Sequence, residues 1–306
     1  MAANRLTFKA TLAQASVPAT SANLGPGFDC LGLALELRDR YAAQILDEPF
    51  FDVDVSGEGA DELKKDKSHL VIRSMLRGFE HMGQKPRGIA LRALNVTPHG
   101  RGLGSSSSAI VGGLALARSL VHGGEALLAD DEMIALATEL EGHPDNVAAA
   151  VLGGATIAWM ENGDGKAISI AVHEKIKALA FIPTTTLSTS KARKILPESI
   201  PHEAAAANVG KSALLVQALS LRPDLLFTAT EDQIHQSYRA SAMPKSMELV
   251  NRLRGAGVAA FISGAGPTVL VLHTGDETEL GEMSALAGSA FTATALEVSH
   301  KGYLSL

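Results

Sequence analysis

Residues 98–109 read PHGRGLGSSSSA, the most distinctive stretch of the chain. Glycine recurs at alternate positions, Gly100, Gly102 and Gly104, which lets backbone amides approach a ligand closely. Four serines follow and open a predicted helix over residues 106–121, whose free N–H groups would attract an anion. The stretch therefore suits a triphosphate. A glycine-rich hairpin that leads into a serine-capped helix is the plainer alternative.

Two commoner nucleotide-binding patterns do not fit the chain. A Walker loop needs Gly-x4-Gly-Lys-Ser/Thr, and the Gly210-Lys211-Ser212 triplet has Ala205 in place of the first glycine and no preceding strand. We interpret that triplet as structural. The glycine-rich run also lacks the Gly-x-Gly-x-x-Gly spacing of dinucleotide-binding folds.

Residues 139–147 read ELEGHPDNV and place carboxylates at the end of a predicted helix. That helix has Asp130 as its expected N-cap and Gly142 as its stop, so Glu139 and Glu141 fall in the last turn. The macrodipole disfavours each negative charge there by about 0.3–1 kcal/mol, and a bound cation would remove the penalty. A Mg²⁺ site and an ordinary solvated helix end are both open at this point.

A short helix is predicted directly after this acidic end. Pro144 suits its first position, which places Asp145 and Asn146 in the first turn. Asp145 is as good a candidate for an N-cap as for a catalytic group.

Residues 17–32 read VPATSANLGPGFDCLG, a Gly-Pro-Gly turn between apolar runs. The turn is flanked by Asn23 and Asp29, an amide and a carboxylate. Loops on rigid scaffolds carry function disproportionately, although a plain turn explains these residues equally well.

Composition excludes several classes of protein. The net charge is −6 over 306 residues, which argues against a nucleic-acid surface, since that would need a basic stripe. No stretch has the roughly 20 apolar residues of a membrane helix. The single cysteine, Cys30, excludes an intrachain disulfide and suits a reducing cytosol. We therefore expect a cytoplasmic protein. Its expected partner is a small-molecule substrate, and a homodimer is an open alternative.

Strands and helices alternate irregularly, which predicts an α+β enzyme. The expected helices cover residues 71–82, 106–121, 130–141, 210–221, 245–254 and 277–287. The expected strands cover residues 51–56, 178–182, 258–262, 268–273 and 291–298. A polar turn at residues 162–165 is the one convincing boundary, and the tight turn at 263–267 suggests a ferredoxin-like layer after it.

In this order the stretches resemble the GHMP kinases, whose middle motif is Pro-x3-Gly-Leu-Gly-Ser-Ser. PATSANLGPGFD at 18–29, EGHPDNVA at 141–148, STSKARKILP at 188–197 and ISGAGPT at 262–268 are similar to the branch that phosphorylates L-homoserine. The resemblance spans essentially the whole chain. It implies the α+β GHMP kinase fold, with an ATP-binding, ribosomal protein S5-like domain over residues 1–165 and a ferredoxin-like domain over residues 166–306.

The resemblance also implies a nucleotide site for ATP and Mg²⁺. Mg²⁺ would bind Ser106 and Glu141, in keeping with its preference for oxygen ligands. His69 stands where the family's adenine pocket would have an asparagine. The resemblance implies that the ATP phosphates contact Pro98, Gly100, Gly102, Leu103, Gly104, Ser105, Ser106, Ser107 and Ser108.

The acceptor site is implied in the same way. Asn23 and Asp29 would bind the ammonium group of L-homoserine. Its carboxylate would meet a pair of arginines, Arg193 and Arg239, whose forked geometry suits carboxylates. Asn146 would bind the hydroxyl. Thr268 would close the site.

The catalytic positions implied are Asn146, Arg193 and Asp145. The asparagine occupies the place where some GHMP kinases have a basic aspartate, so proton removal would fall to a phosphate oxygen or to water. Phosphorylation of L-homoserine belongs to threonine biosynthesis. Two alternatives stay open: another GHMP kinase, for mevalonate or a sugar, and a non-catalytic protein that retains the fold.

Overall fold

The computed structural model describes residues 8–83 and 86–306, so the first seven residues of the predicted N-terminal domain lie outside it. The strands are β1 Ala13–Asn23, β2 Gly27–Leu46, β3 Phe51–Gly57, β4 Gly88–Asn95, β5 Ala155–Glu161, β6 Asp164–Ile170, β7 Lys177–Pro183, β8 Ala260–Ile262, β9 Val269–His273, β10 Phe291–Leu296 and β11 Leu304–Ser305. The helices are α1 Leu70–His81, α2 Ser105–Ser119, α3 Gly124–Leu127, α4 Asp130–Glu141, α5 Asp145–Leu152, α6 Thr189–Lys194, α7 His202–Ser220, α8 Leu226–Ala229, α9 Gln236–Arg239, α10 Pro244–Gly255 and α11 Glu277–Ala287.

Two sheets organise these elements. The first has the order β11-β1-β2-β4-β3, and β2 also pairs with β5 of the β5–β6 hairpin. Its strand pairs are antiparallel except β3 with β4. The second sheet is antiparallel, with the order β10-β7-β9-β8. The mixture of helices and mainly antiparallel strands is the α+β class that the sequence predicts.

Buried apolar side chains join the two sheets. Ile72, Met75 and Leu114 belong to a core between the first sheet and its helices. A second core includes Leu33 of β2 together with Phe261 of β8, so the sheets share it. No helix of the described residues is long and apolar enough to cross a membrane.

The expected elements are present, and three details differ from expectation. α4 begins at Asp130, with Ala129 as its N-cap, because Glu132 Oε2 accepts a hydrogen bond from the Ala129 N–H at 2.8 Å. α7 begins at His202, before the predicted start at 210. The polar turn at 162–165 joins β5 to β6, so the predicted domain boundary falls inside a strand of the first sheet. The two-domain division stays a proposal, and we would place it between β6 and β7.

Candidate active site

A cavity of about 260 Å³ is lined by turns that connect strands of both sheets and by the ends of several helices. It is bordered by the β1–β2 turn, the loop before α2, the α4–α5 turn, α6, α9 and the β8–β9 turn. All the motifs of the sequence therefore meet at one place. The predicted site residues that line the cavity are Asn23, Asp29, Pro98, Gly100, Gly102, Leu103, Gly104, Ser105, Ser106, Glu141, Asp145, Asn146, Arg193 and Arg239.

Three predicted site residues have buried side chains outside this lining. The Ser108 hydroxyl lies 3.1 Å from the Tyr41 hydroxyl, in the interior. Ser107 Oγ and Thr268 Oγ1 are buried, and neither has a hydrogen-bond partner among the described residues. Ligand contact at these positions would have to come from the backbone, so their predicted roles stay predictions.

The loop before α2 has the geometry of a close backbone cradle. Gly102 and Gly104 have φ angles of 79° and 71°, in the left-handed region that favours glycine. A side chain at Gly104 would displace Thr20, and one at Gly102 would strike the Ser263 carbonyl. α2 starts at Ser105 without a side-chain cap, and Ser105 and Ser106 line the cavity, so the positive end of the helix dipole lies at the cavity wall.

The two carboxylates at the end of α4 have different partners. Glu139 makes a two-pronged ion pair with Arg77, at 2.7 and 3.2 Å, which offsets its unfavourable position on the helix dipole. Glu141 has no cationic partner among the described residues. Its Oε1 accepts a hydrogen bond from Ser106 Oγ at 2.6 Å, so the predicted Mg²⁺ ligands lie side by side at the cavity.

Asp145 is 1% exposed and holds its neighbours in place. Its Oδ1 accepts the Asn146 backbone N–H at 2.7 Å and lies 2.8 Å from His143 Nδ1. Asn146 Oδ1 accepts a hydrogen bond from Thr20 Oγ1 at 2.8 Å. Burial alone would lower the pKa of His143, but the hydrogen bond and charge of Asp145 outweigh it and raise that pKa. The carboxylate therefore fixes the orientation of Asn146 and His143 at the cavity wall.

At the other end of the cavity, Asp29 and Arg193 form a bidentate ion pair of 2.9 and 2.6 Å. The hydrogen bond to Asp29 raises the pKa of Arg193. Asp29 has a φ of 54°, and its N–H donates to Asn23 Oδ1 at 3.0 Å. Asn23 Nδ2 donates to the Gly264 carbonyl, which ties this turn to the β8–β9 turn. Both polar groups of Asn23 are thus engaged within the protein.

Arg239 is 2% exposed and pairs with no carboxylate among the described residues. Its Nε donates to the Ala192 carbonyl at 3.2 Å, and its Nη1 lies 3.4 Å from His235 Nδ1. The guanidinium carbon lies 5.2 Å from the ring centre of Phe28, over its face. Burial and, after it, the nearby charge of Arg193 lower the pKa of Arg239. A buried cation at the edge of a cavity is a strong candidate for binding an anion.

A second cavity, of about 210 Å³, shares Ser105 and Ser106 with the first. Its remaining walls are mainly apolar and aromatic and include Tyr41. His69 lies in its wall, and His69 Nδ1 is buried without a partner among the described residues. Burial and the neighbouring His99 lower the pKa of His69, so its ring is favoured in the neutral form.

Several lining residues were not predicted. Phe28 and His143 stand inside the quoted motifs, and an aromatic ring or imidazole beside polar motif residues was the available signal. Ser188 and Thr189 open the quoted motif at 188–197 and Leu187 directly precedes it, but none of the three is aromatic or titratable. The Gly210-Lys211-Ser212 triplet lies outside the cavity, where Lys211 pairs with Glu231 and Ser212 bonds to the Pro26 carbonyl.

A glycine-rich loop at a helix N-terminus, next to a hydroxyl–carboxylate pair and a cationic end, is the arrangement expected of a small-molecule kinase site. Residues 69–154 match the family model described as GHMP kinases N terminal domain, and residues 211–284 match GHMP kinases C terminal. The chain belongs to the GHMP kinase family, which confirms the predicted fold. It is an ATP-dependent phosphotransferase with an alcohol group as acceptor.

Within that family, the chain is similar to homoserine kinases over nearly its whole length. It is 50% identical to the Streptomyces coelicolor homoserine kinase, with 96% of this chain and 94% of that protein covered. It is 49% identical to the Streptomyces avermitilis homoserine kinase, with 96% of each covered. The crystal structure of homoserine kinase from Cytophaga hutchinsonii superimposes with a TM-score of 0.84 at 25% identity, over 99% of this chain and 100% of that one.

Proposed function

We propose that this chain transfers the γ-phosphate of ATP to the side-chain hydroxyl of L-homoserine and forms O-phospho-L-homoserine, a step in threonine biosynthesis. The homoserine kinases that it matches support this substrate. The observation that carries the proposal is the cavity itself, because the glycine-rich loop and an end with two guanidiniums and one carboxylate line the same cavity. That end is complementary to an amino acid rather than to a neutral polyol.

The nucleotide would occupy both cavities. The mainly apolar second cavity suits the adenine ring, and His69 Nδ1 offers an unpartnered polar atom there. The shared residues Ser105 and Ser106 would lead from the base to the phosphates, which would rest on the N-terminus of α2.

Mg²⁺ fits the oxygen pair beside the phosphate cradle. Ser106 and Glu141 supply a hydroxyl and a carboxylate, the ligand chemistry that Mg²⁺ accepts alongside water and phosphate oxygens. When bound, the ion would neutralise charge on the transferred phosphoryl group.

The acceptor would lie between Asp29 and Asn146. Asp29 would bind the ammonium, Arg193 and Arg239 the carboxylate, and Asn146 would orient the hydroxyl towards the γ-phosphorus. The hydroxyl oxygen bonds to that phosphorus as the bond to ADP breaks, and its proton passes to a phosphate oxygen or to water. Asp145 contributes by holding Asn146, so the rate would come from positioning and charge stabilisation.

A coupled ADP-release assay with several acceptors tests the proposal. We expect turnover with L-homoserine to exceed turnover with L-serine and mevalonate. A preference for mevalonate or a sugar would identify a different GHMP kinase, and no ADP release with any acceptor would favour a non-catalytic protein. A cytoplasmic location and a homodimeric state belong to the same proposal, and gel filtration tests the latter.

A further inference from the structure

His235 is a fully buried histidine. It lies behind the end of the cavity that Asp29, Arg193 and Arg239 form, called the acceptor end below. It precedes α9, the short helix that carries Arg239. Its ring stacks on Phe28 with centres 5.1 Å apart, and both arginines of the acceptor end lie over that same Phe28 ring. His235 thus contacts the segments that form the proposed carboxylate site, although it does not line the cavity itself.

The partners of the imidazole define its protonation. Nε2 lies 2.7 Å from the Gly25 carbonyl, which only accepts, so Nε2 carries a hydrogen. Asp232 Oδ1 lies further from Nε2, at 3.4 Å. Nδ1 lies 3.4 Å from Arg239 Nη1, which only donates, so Nδ1 is an acceptor. The ring is therefore the neutral Nε2–H tautomer and bridges the β1–β2 turn to the guanidinium.

Other groups around the ring are consistent with that state. Burial lowers the pKa of His235, and the charge of Arg239 acts in the same direction. Asp232, the Gly25 carbonyl and Asp29 act in the opposite direction without reversing the shift. Asp232 also accepts the backbone N–H groups of residues 234, 235 and 236, which fixes the start of this helical segment.

We propose that His235 is a positioning residue that aims Arg239 at the acceptor carboxylate and so sets the preference of the enzyme for amino-acid acceptors. The Ala192 carbonyl and His235 Nδ1 hold Nε and Nη1, whereas Nη2 makes no hydrogen bond with any described residue. Nη2 and the second hydrogen of Nη1 are therefore left to donate to a carboxylate. The proposal rests on the function proposed above for Arg239.

The test compares two acceptors that differ only in the carboxylate, L-homoserine and 3-aminopropan-1-ol. His235→Leu keeps an apolar side chain in the site and removes both hydrogen bonds. We expect its KM for L-homoserine to rise about ten- to hundredfold, as for other residues that orient a direct ligand, with the KM for ATP unchanged. Its kcat/KM for 3-aminopropan-1-ol should stay close to the wild-type value.

Three further variants separate positioning from folding. His273→Leu is the matched control, because His273 is also buried and does not line the cavity that contains Arg239. His235→Asn retains a hydrogen-bond acceptor near the Nδ1 position. Its KM for L-homoserine should therefore lie between that of the wild type and that of His235→Leu. In an Arg239→Gln background, His235→Leu should add no further loss with L-homoserine.

Equal losses of His235→Leu on both acceptors, or an added loss in the Arg239→Gln background, would overturn the positioning role. If His235→Leu does not fold, the acceptor selectivity of His235→Asn decides. A selectivity equal to the wild-type value would then overturn the role, and an intermediate selectivity would support it. A wild-type enzyme that does not prefer L-homoserine to 3-aminopropan-1-ol would overturn the proposed function itself, before any variant is compared.

Discussion

At the scale of single residues, the acceptor end is organised around an imbalance of charge. Arg193 already has Asp29 as a partner, whereas Arg239 is buried with no carboxylate beside it among the described residues. An unpaired buried charge costs several kcal/mol even after the protein relaxes around it. The carboxylate of an amino acid would offset that cost for Arg239, and its ammonium could replace Arg193 at Asp29. Substrate binding would thus break one internal ion pair and form ion pairs between the substrate and Asp29, Arg193 and Arg239.

Glu141 provides the sharpest test of metal binding. We expect Glu141→Gln to reduce turnover at limiting Mg²⁺ by at least about tenfold. Loss of a residue that only orients a metal ligand already lowers metal affinity or activity by about that factor, and Glu141 is predicted to bind the ion directly. Its thermal midpoint should barely change, since Ser106 is the one hydrogen-bond partner of the carboxylate among the described residues. Steady-state assays across a Mg²⁺ titration would measure the effect.

Glu139→Gln is the control for that experiment. Glu139 lies on the same last turn of α4, but it pairs with Arg77 and does not line the cavity. Its loss should leave the Mg²⁺ dependence unchanged. If both variants respond to Mg²⁺ like the wild type, Glu141 is not a metal ligand.

His143 predicts a pH dependence of stability. Its pKa is raised in the folded state, so the protonated ring stabilises the fold through Asp145. The contribution is fully present below the unfolded pKa, near 6.5, and is lost as pH rises through the higher folded pKa. The free energy of unfolding of the wild type, minus that of His143→Asn, should therefore decrease from pH 6 to pH 9. Urea titrations at several pH values would measure it, and an increasing difference would contradict the assignment.

At the scale of elements, periodicity located the helices and strands that bury one face. α1 lies where helical spacing predicts a helix, and β3 lies where alternation predicts a strand. The start of α7 was missed because its first turns are alanine-rich and partly exposed, which leaves little periodic signal. The 20-residue β2 was also missed, because it is paired with different strands along its length and its burial pattern changes accordingly.

The N-terminus of α2 allows binding and folding to be separated. A substitution at Gly104 would disturb Thr20 and the backbone together, so it cannot distinguish the two. Ser105 lines both cavities at the first turn of the helix. We expect Ser105→Asp to stabilise the helix slightly, by about 0.3–1 kcal/mol, because a negative charge is attracted to the positive N-terminal end of the helix dipole. The same charge should repel the ATP phosphates and weaken ATP binding by at least about tenfold.

Ser105→Asn is the neutral control for that variant and should bind ATP nearly as well as the wild type. Calorimetry for ATP affinity and thermal unfolding for stability give the two readouts. Unchanged ATP affinity in Ser105→Asp would show that the phosphates lie elsewhere.

At the scale of the whole molecule, each motif alone was ambiguous, and only the resemblance to the GHMP kinases, not the local pattern, predicted that the motifs share one site. Local pattern marks Asp29, Ser106 and Glu141 as polar residues at turns and helix ends. Only long-range packing brings them to one cavity, because the core shared by the two sheets brings the β1–β2 turn against the second sheet. His235 lay beyond prediction for the same reason, since its role depends on contact with Gly25, 210 residues away.

β11 forms one edge of the first sheet beside β1, and Arg38 bonds to the segment that precedes it. From β2, its guanidinium donates to the Gly302 carbonyl at 2.6 Å, to Ser299 Oγ at 2.7 Å and to the Ser16 carbonyl at 3.1 Å. These bonds join β1, β2 and the segment that leads into β11. Because a hydrogen bond to a charged group contributes about 1.5–3 kcal/mol, Arg38→Gln should lower the free energy of unfolding by about 2–4 kcal/mol.

Arg40→Gln is the matched control, since Arg40 is exposed two residues further along β2 and makes none of these bonds. Its free energy of unfolding should stay within about 0.5 kcal/mol of the wild-type value. Neither Arg38 nor Arg40 lines the catalytic cavity, so kcat/KM for L-homoserine should be preserved in both variants at temperatures where they are folded. Urea unfolding and the ADP-release assay measure the two quantities. Equal stability of the two variants would show that the chain end is held by the β1–β11 pairing and its apolar contacts, without a net contribution from Arg38.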